Sequence, residues 1–213
     1  MKLVELRVDE FLNELASSSP APGGGSVSAL AGANGCSLML MVGNLTISKK
    51  KFASLDEDVR TSYLNSLGIF KKNNNSFINL IDADTDAFNQ LMKAFKLPKN
   101  SDEEIAQRIK EIDKATLTCI RVPLNVSALA LETLRLVEDM IEYSNKNTLS
   151  DQGVCVLMLY SAIEGAAMNV MINLPGLNDD DLKREFKQTI NEIISEAEQI
   201  KEKLLEEIKY LLK

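Results

Sequence analysis

The sequence predicts an all-α fold: a single-domain bundle of about seven helices over residues 1–213, dimeric, with two nearly uncharged helices at its centre. Three observations carry this. Apolar residues recur at steps of three and four along most of the chain, and no stretch alternates strictly for long enough to make a strand. Pro and Gly clusters cut the chain into helix-length pieces. Two of those pieces, residues 27–47 and 153–173, hold a single charged residue between them, Glu164.

The elements follow in order. Val8, Phe11, Leu12 and Leu15 make a short amphipathic helix. The run Ser17-Ser18-Ser19-Pro20-Ala21-Pro22-Gly23-Gly24-Gly25-Ser26 must end it, and Ser26 is expected to cap the helix over 27–47. That uncharged stretch is long enough to span a bilayer. Ser28, Gly32, Asn34, Gly35, Ser37, Gly43 and Asn44 dilute it, and no aromatic belt flanks it. A helix buried on all sides in a soluble protein is the expectation, with no membrane partner. Its small residues, among them Ala29, Gly32, Ala33 and Cys36, allow close approach of a neighbouring helix or a second subunit.

A long stripe follows, through Val59, Tyr63, Phe70, Phe77, Ile81, Phe88 and Phe95, and ends before Pro98. Ser101-Asp102-Glu103-Glu104 fits a capping box and starts the next helix, which Pro123 is expected to kink or break. A further helix covers about 124–143. Ser150 or Asp151 is expected to cap the second apolar helix over 153–173, and Pro175-Gly176 stops it. The last helix begins near Asp179, whose neighbours Asp180 and Asp181 favour its N-terminus. At about 1.5 Å per residue it is longer than a domain of this size needs. Its stripe from Leu182 to Leu211 is therefore expected to meet a second copy, making a homodimer.

Composition excludes several function classes. The chain has 213 residues, 45% of them apolar, so it builds a core rather than staying disordered. Its net charge of −7 repels phosphate backbones, and aromatics are 5% with no tryptophan, so no nucleic-acid partner is expected. With no histidine, Ser-His-Asp and Cys-His catalysis, Cys/His zinc sites and a histidine base are all closed. The expectation is an active site with no metal and no redox cofactor. Cys36, Cys119 and Cys155 form no CxxC and lie in apolar runs, as buried thiols of a reducing, cytoplasmic protein do. The N-terminus carries Glu5, Asp9 and Glu10 and lacks the apolar core of a signal peptide.

The chemistry concentrates in four places. Gly23, Gly24, Gly25 and Ser26 bring backbone amides close to a bound group at a helix N-terminus, where an anion is favoured. A tight structural turn explains the same residues. Asp82 and Asp86 share one face of the long helix and are expected to face solvent. Asp84 points nearly opposite, onto the apolar stripe, where desolvation raises its pKa and lets it carry a proton. A buried carboxylate held by a partner such as lysine is the bland reading. Lys49, Lys50 and Lys51 close a helix C-terminus and suit a substrate with several carboxylates. Asn169 and Asn173 share a helix face and must be paired if buried. Asp151 serves first as an N-cap and second as a ligand contact; Glu164 is a buried-charge candidate.

These segments together resemble the formiminotetrahydrofolate cyclodeaminase / methenyltetrahydrofolate cyclohydrolase family. Residues 15–33, with Pro20-Ala21-Pro22-Gly23-Gly24-Gly25-Ser26 at their centre, look like its signature. Leu45-Thr46-Ile47-Ser48-Lys49-Lys50-Lys51-Phe52 resembles its L-T-x-G-K-K-x-Y block, with Ser48 in place of glycine and Phe52 in place of tyrosine. Residues 82–88 resemble its acidic block, with Asp86 where glutamate is frequent. Ser150-Asp151, Asn169-Val170 and Asn173-Leu174 resemble its SD and NV-x-x-NL blocks.

The resemblance implies an all-helical dimer with a folate site near the glycine-rich segment and no cofactor beyond the folate substrate, which is expected to be polyglutamylated. It implies an enzyme that cyclises 5-formiminotetrahydrofolate to 5,10-methenyltetrahydrofolate with release of ammonia. The alternative is a cyclohydrolase opening the methenyl ring to 10-formyltetrahydrofolate. The rival of another class is a non-catalytic helical dimer that binds an anionic ligand. For either reaction the expected roles are Asp84 as proton carrier and Lys49 polarising the reacting centre or binding the glutamate tail. Lys50 and Asp151 are further substrate contacts. Gly23, Gly24, Gly25, Ser26, Asn169 and Asn173 hold the pterin or the tail.

Overall fold

The computed structural model describes residues 2–213. Seven α-helices run through the described residues: α1 Val8–Leu15, α2 Gly24–Ile47, α3 Lys50–Ala53, α4 Glu57–Phe95, α5 Asp102–Ile141, α6 Leu149–Asn173 and α7 Asp180–Leu211. Three 3-10 turns, Leu3–Glu5, Lys146–Thr148 and Leu174–Gly176, complete the regular structure, and no strand occurs among the described residues.

The bundle is built around α5 and α2. α4, α6 and α7 pack on α5, and α2 lies between α4 and α6 and also touches α5. Both flanking helices run antiparallel to α2: Gly25, Gly32 and Gly43 meet Asp84, Phe77 and Leu67 of α4, while Gly24, Ser28 and Gly35 meet Asn169, Gly165 and Leu159 of α6. Absent side chains let these backbones approach. A Cβ on Gly32 would sit 2.5 Å from the ring of Phe77, a residue with no exposed surface. Gly32→Ala is therefore expected to destabilise the fold by roughly 1–3 kcal/mol through overpacking. A lowered urea midpoint with an unchanged slope is the readout.

Three boundaries differ from the sequence expectation. Pro123 neither breaks the chain nor separates two helices, and α5 runs through it for 40 residues. A proline removes the bond that the carbonyl four residues earlier would accept. Here that carbonyl belongs to Cys119, and the Asn173 side-chain amide donates to it at 3.2 Å. A neighbouring helix thus supplies the missing donor. α2 starts at Gly24 rather than after Ser26, so Ser26 lies inside the first turn and Gly23 is the N-cap residue. α6 starts at Leu149 after Thr148, and neither Ser150 nor Asp151 caps it. Two other ends follow expectation. The Ser101 hydroxyl accepts from the Glu104 amide at 3.3 Å. The Asp179 carboxylate accepts from the amides of Asp181 and Leu182.

Burial also corrects two readings. The α7 stripe does not wait for a second copy: Phe186, Ile190, Ile193, Ala197, Leu204 and Ile208 are buried within this chain against α5 and α6. α2, in turn, is not buried on all sides. Val27, Met41 and Leu45 are exposed along one face, and on α6 Val154, Leu157, Met168 and Ile172 are exposed. The stretches Gly24–Ile47, Asp102–Ile141 and Lys146–Gly176 are long and apolar enough to cross a membrane by length and composition.

The three cysteines are free and buried. Burial pushes the Cys36 thiol up to about 12 and Cys119 to about 11, and raises Cys155 as well, so all three are inert thiols rather than nucleophiles.

Candidate active site

The first turn of α2 needs an acceptor for its free amides. Its N-cap residue is Gly23, which has no side chain to give. Asp84, one helix away on α4, takes that part. The Ser26 amide donates to Asp84 Oδ2 at 2.9 Å, and the Ser26 hydroxyl lies 3.3 Å from the same oxygen. That hydroxyl also reaches the Ile81 carbonyl at 2.8 Å and Thr85 Oγ1 at 3.2 Å. Among the described residues no lysine or arginine pairs with Asp84. The partner is a helix N-terminus, not the buried lysine of the bland reading.

Two influences compete on the Asp84 carboxyl. Desolvation raises its pKa, and the bonds from Ser26 lower it; desolvation is the larger, so the net direction is up. The carboxyl is thus held in a fixed place yet made ready to accept a proton. Its negative charge in turn contributes to the raised pKa of Cys119, which places α5 close by. Gly25 is what admits it: a Cβ there would stand 2.0 Å from Asp84 Oδ1.

α6 supplies the amides. The side chain of Asn169 lies over Gly24, with Nδ2 3.1 Å from where a Cβ would be. Asn169 Nδ2 donates to the Gly165 carbonyl, and Asn173 Nδ2 donates to the Asn169 carbonyl, each at 2.8 Å. Both donors are thus engaged within α6 and with Cys119. Among the described residues both Oδ1 atoms are left without a protein partner and are free to accept from a ligand.

The expected site residues therefore separate into two groups. Gly23, Gly24, Gly25, Ser26, Asp84, Asn169 and Asn173 come together at the N-terminal end of α2. Lys49, Lys50 and Asp151 do not join them. α2 is 24 residues long, so Lys49 is about 35 Å away along the helix axis. There Lys49 and Lys51 line a cleft of about 420 Å³ with Thr46, Tyr143, Asn145 and Lys146. Asp151 is half-buried in the first turn of α6, at that same end.

Two other carboxylates are also placed. Asp86 is exposed as expected, but Asp82 is half-buried and accepts from the Leu3 amide at 2.6 Å, tying the N-terminal segment to α4. Glu164 is half-buried and accepts from the Tyr160 hydroxyl at 2.8 Å. The sequence reading missed Thr85, whose only signal was its place beside Asp84, and the Cys119 carbonyl, which carries no side-chain signal at all. Among the described residues no cluster of three or more Cys, Asp or Glu side chains could hold a metal ion.

Known proteins share this arrangement of sequence and fold. The family description formiminotransferase-cyclodeaminase matches residues 7–192. A methenyltetrahydrofolate cyclohydrolase of Methylorubrum extorquens is 38% identical over 202 residues, covering 95% of each chain. The formimidoyltransferase-cyclodeaminase of Gallus gallus is 32% identical over 92% of this chain. This chain spans only 36% of that longer protein. The solved formiminotetrahydrofolate cyclodeaminase of Thermotoga maritima superposes with a TM-score of 0.73 at 28% identity, covering 97% of this chain and 96% of its own. The chain belongs to the formiminotransferase-cyclodeaminase family.

Proposed function

We propose that the protein is a folate one-carbon enzyme that closes 5-formiminotetrahydrofolate to 5,10-methenyltetrahydrofolate and releases ammonia. The observation that carries this is Asp84: a desolvated carboxyl, pinned by the Ser26 amide, beside unpartnered amide oxygens at a helix N-terminus. Closing the ring passes through a tetrahedral carbon between N5 and N10, and one nitrogen must gain a proton before it leaves as ammonia. A carboxyl with a raised pKa moves that proton without histidine, metal or redox cofactor. The Oδ1 atoms of Asn169 and Asn173 accept from the N–H groups of the pterin, and the amides of Gly24 and Gly25 approach its polar edge.

The reverse use of the same carbon, cyclohydrolase opening of the methenyl ring by water, is the second reading. The cyclohydrolase of Methylorubrum extorquens favours it, matching this chain over 95% of both lengths. Both reactions need the same proton carrier. Assays with both folates side by side, followed by the near-ultraviolet absorption of the methenyl form, test the proposal. Turnover of 5-formiminotetrahydrofolate supports it, and turnover of the methenyl form alone supports the second reading; turnover of neither, with folate bound and released unchanged, leaves a non-catalytic binding protein.

The remaining assignments belong to the same reading. The enzyme works as a cytoplasmic homodimer. Its buried, unpaired cysteines suit a reducing compartment, and the uncharged outer face of α2 suits a subunit interface better than lipid, since Asn34, Ser37 and Asn44 interrupt it. Lys49 and Lys50, both exposed, bind the glutamate tail of the substrate. Lys49→Ala and Lys50→Ala are then expected to raise KM more for polyglutamylated than for monoglutamylated folate. The difference should shrink with added salt, because such contacts are screened. An equal rise in KM for both substrates contradicts tail binding by these lysines.

A further inference from the structure

We propose that Ser26 is the positioning residue of the proton carrier: its hydroxyl turns between the Ile81 carbonyl and Asp84 Oδ2 as Asp84 gains and loses its proton, and this keeps the working proton on Asp84 Oδ1. The inference rests on the proposed role of Asp84 and adds the group that sets where Asp84 titrates.

The count of donors leads there. A serine hydroxyl carries one proton and can also accept. Ser26 Oγ lies 2.8 Å from the Ile81 carbonyl, 3.3 Å from Asp84 Oδ2 and 3.2 Å from Thr85 Oγ1. The Ile81 carbonyl only accepts, and so does Asp84 while it is ionised. Thr85 therefore gives its proton to Ser26 Oγ, which leaves the Ser26 proton for one of the other two. Neither choice strands the Ile81 carbonyl, because it sits inside α4 and keeps the helix bond from the Thr85 amide.

The charge makes the choice. A hydrogen bond to an ionised acceptor is stronger than one to a neutral acceptor, so the Ser26 proton faces Oδ2 while Asp84 is a carboxylate. Once Asp84 is protonated, the shorter contact to Ile81 takes it back. Only the O–H bond rotates, and no heavy atom has to move. Ser26 has no exposed surface, so its hydroxyl acts through Asp84 and not on the substrate.

The two oxygens of Asp84 thereby take different parts. Oδ2 receives the Ser26 amide at 2.9 Å as well as the hydroxyl. Among the described residues nothing donates to Oδ1, which lies against Gly25. Oδ1 is then the oxygen that trades a proton with the substrate nitrogen. As the N–H bond breaks, the O–H bond forms at Oδ1, the carboxylate becomes neutral, and the Ser26 hydroxyl swings to Ile81. Return of the proton reverses each move.

The surrounding groups leave this titration to Ser26. α2 carries no charge. α6 has only Asp151, in its first turn at the other end, and Glu164, which takes the Tyr160 hydroxyl. α5 offers the Cys119 thiol, pushed up to about 11 and so neutral, while its Arg121 is exposed. On α4 itself, Asp82 holds the Leu3 amide and Asp86 is exposed.

The pH dependence of kcat in Ser26→Ala tests this. Alanine keeps the backbone amide and removes only the hydroxyl. The carboxylate loses a donor that the protonated form does not use. The limb of the profile that reports Asp84 should therefore move up by roughly one pH unit, about the difference between a bond to a charged and to a neutral acceptor. KM should stay near the wild-type value. A received bond makes a hydroxyl a better donor, so Thr85→Val should move the limb the same way by less. A Ser26→Ala profile that coincides with the wild type overturns the inference. A raised KM with an unmoved limb overturns it too, because Ser26 is then a substrate contact. If Ser26→Ala does not fold, Thr85→Val decides alone, and a limb that stays in place overturns the inference. Asp84→Asn is the control. Loss of the limb there, with an unmoved limb in Ser26→Ala, defeats the role of Ser26 and leaves the proton on Asp84. Full activity in Asp84→Asn defeats the reaction assignment itself.

Discussion

Asp84→Asn is expected to lower kcat by about 10²–10⁴-fold, the usual worth of general acid–base assistance. The protein should remain folded and still bind folate. Asparagine keeps an oxygen for the Ser26 amide, now 2.9 Å from Asp84 Oδ2, and offers an amide to the neighbouring hydroxyl. What it loses is the exchangeable proton. The stability consequence has a definite sign. A carboxyl whose folded-state pKa is raised contributes stability below its unfolded pKa and loses it as pH rises through the folded value. At neutral pH the asparagine variant escapes that loss, so its thermal midpoint should not fall. Asp82→Asn should cost less activity, since Asp82 holds the Leu3 amide rather than the α2 terminus, and exposed Asp86 should cost least. An active but unstable Asp84→Asn protein means that the carboxylate is only a cap for α2.

Gly25→Ala should injure both fold and turnover. The new methyl would stand 2.0 Å from Oδ1 and 2.4 Å from the carboxyl carbon of Asp84. The carboxyl must swing away, and the Ser26 amide then loses its acceptor inside the protein. Overpacking of this kind costs roughly 1–3 kcal/mol. Activity should fall toward that of Asp84→Asn, because the proton carrier is present but displaced. The neighbouring glycines grade the effect. A Cβ on Gly24 meets Asn169 Nδ2 at 3.1 Å, and one on Gly23 meets nothing nearer than the Pro20 carbonyl at 3.9 Å. The expected order of damage is Gly25, then Gly24, then Gly23, read from urea midpoints and kcat together. If Gly25→Ala matches the wild type in turnover, the position of the carboxyl against α2 is not what drives the reaction.

Much of this was legible in the sequence because helical periodicity is a local signal. The stripe of α4 shows Asp84 on the inward face without any knowledge of its neighbours, and the glycine run announces a close approach. Pro123 shows where local reading stops. By its own chemistry it ends a helix; the Asn173 amide that satisfies the Cys119 carbonyl comes from 54 residues away and cannot be read from either segment. The cap of α2 failed for the same reason. Ser26 is the natural N-cap by residue type, yet the acceptor is Asp84, 58 residues on. The outer faces were misjudged because composition reports how apolar a helix is, not which neighbours are available to cover it. A stripe on α7 and a seam on α2 look alike in sequence; only the packing shows that the first is covered within the chain and the second is open.

The pH dependence of kcat, measured on wild type and Asp84→Asn with the folate that is turned over, reaches the central claim most directly. Burial outweighs the Ser26 bonds at Asp84, so the wild-type profile should show a limb above the ordinary carboxylate range near 4. That limb should be missing from the asparagine variant, whose residual rate then follows the remaining groups alone. An asparagine variant that is slower but keeps every limb of the wild-type profile would contradict the assignment of the proton to Asp84.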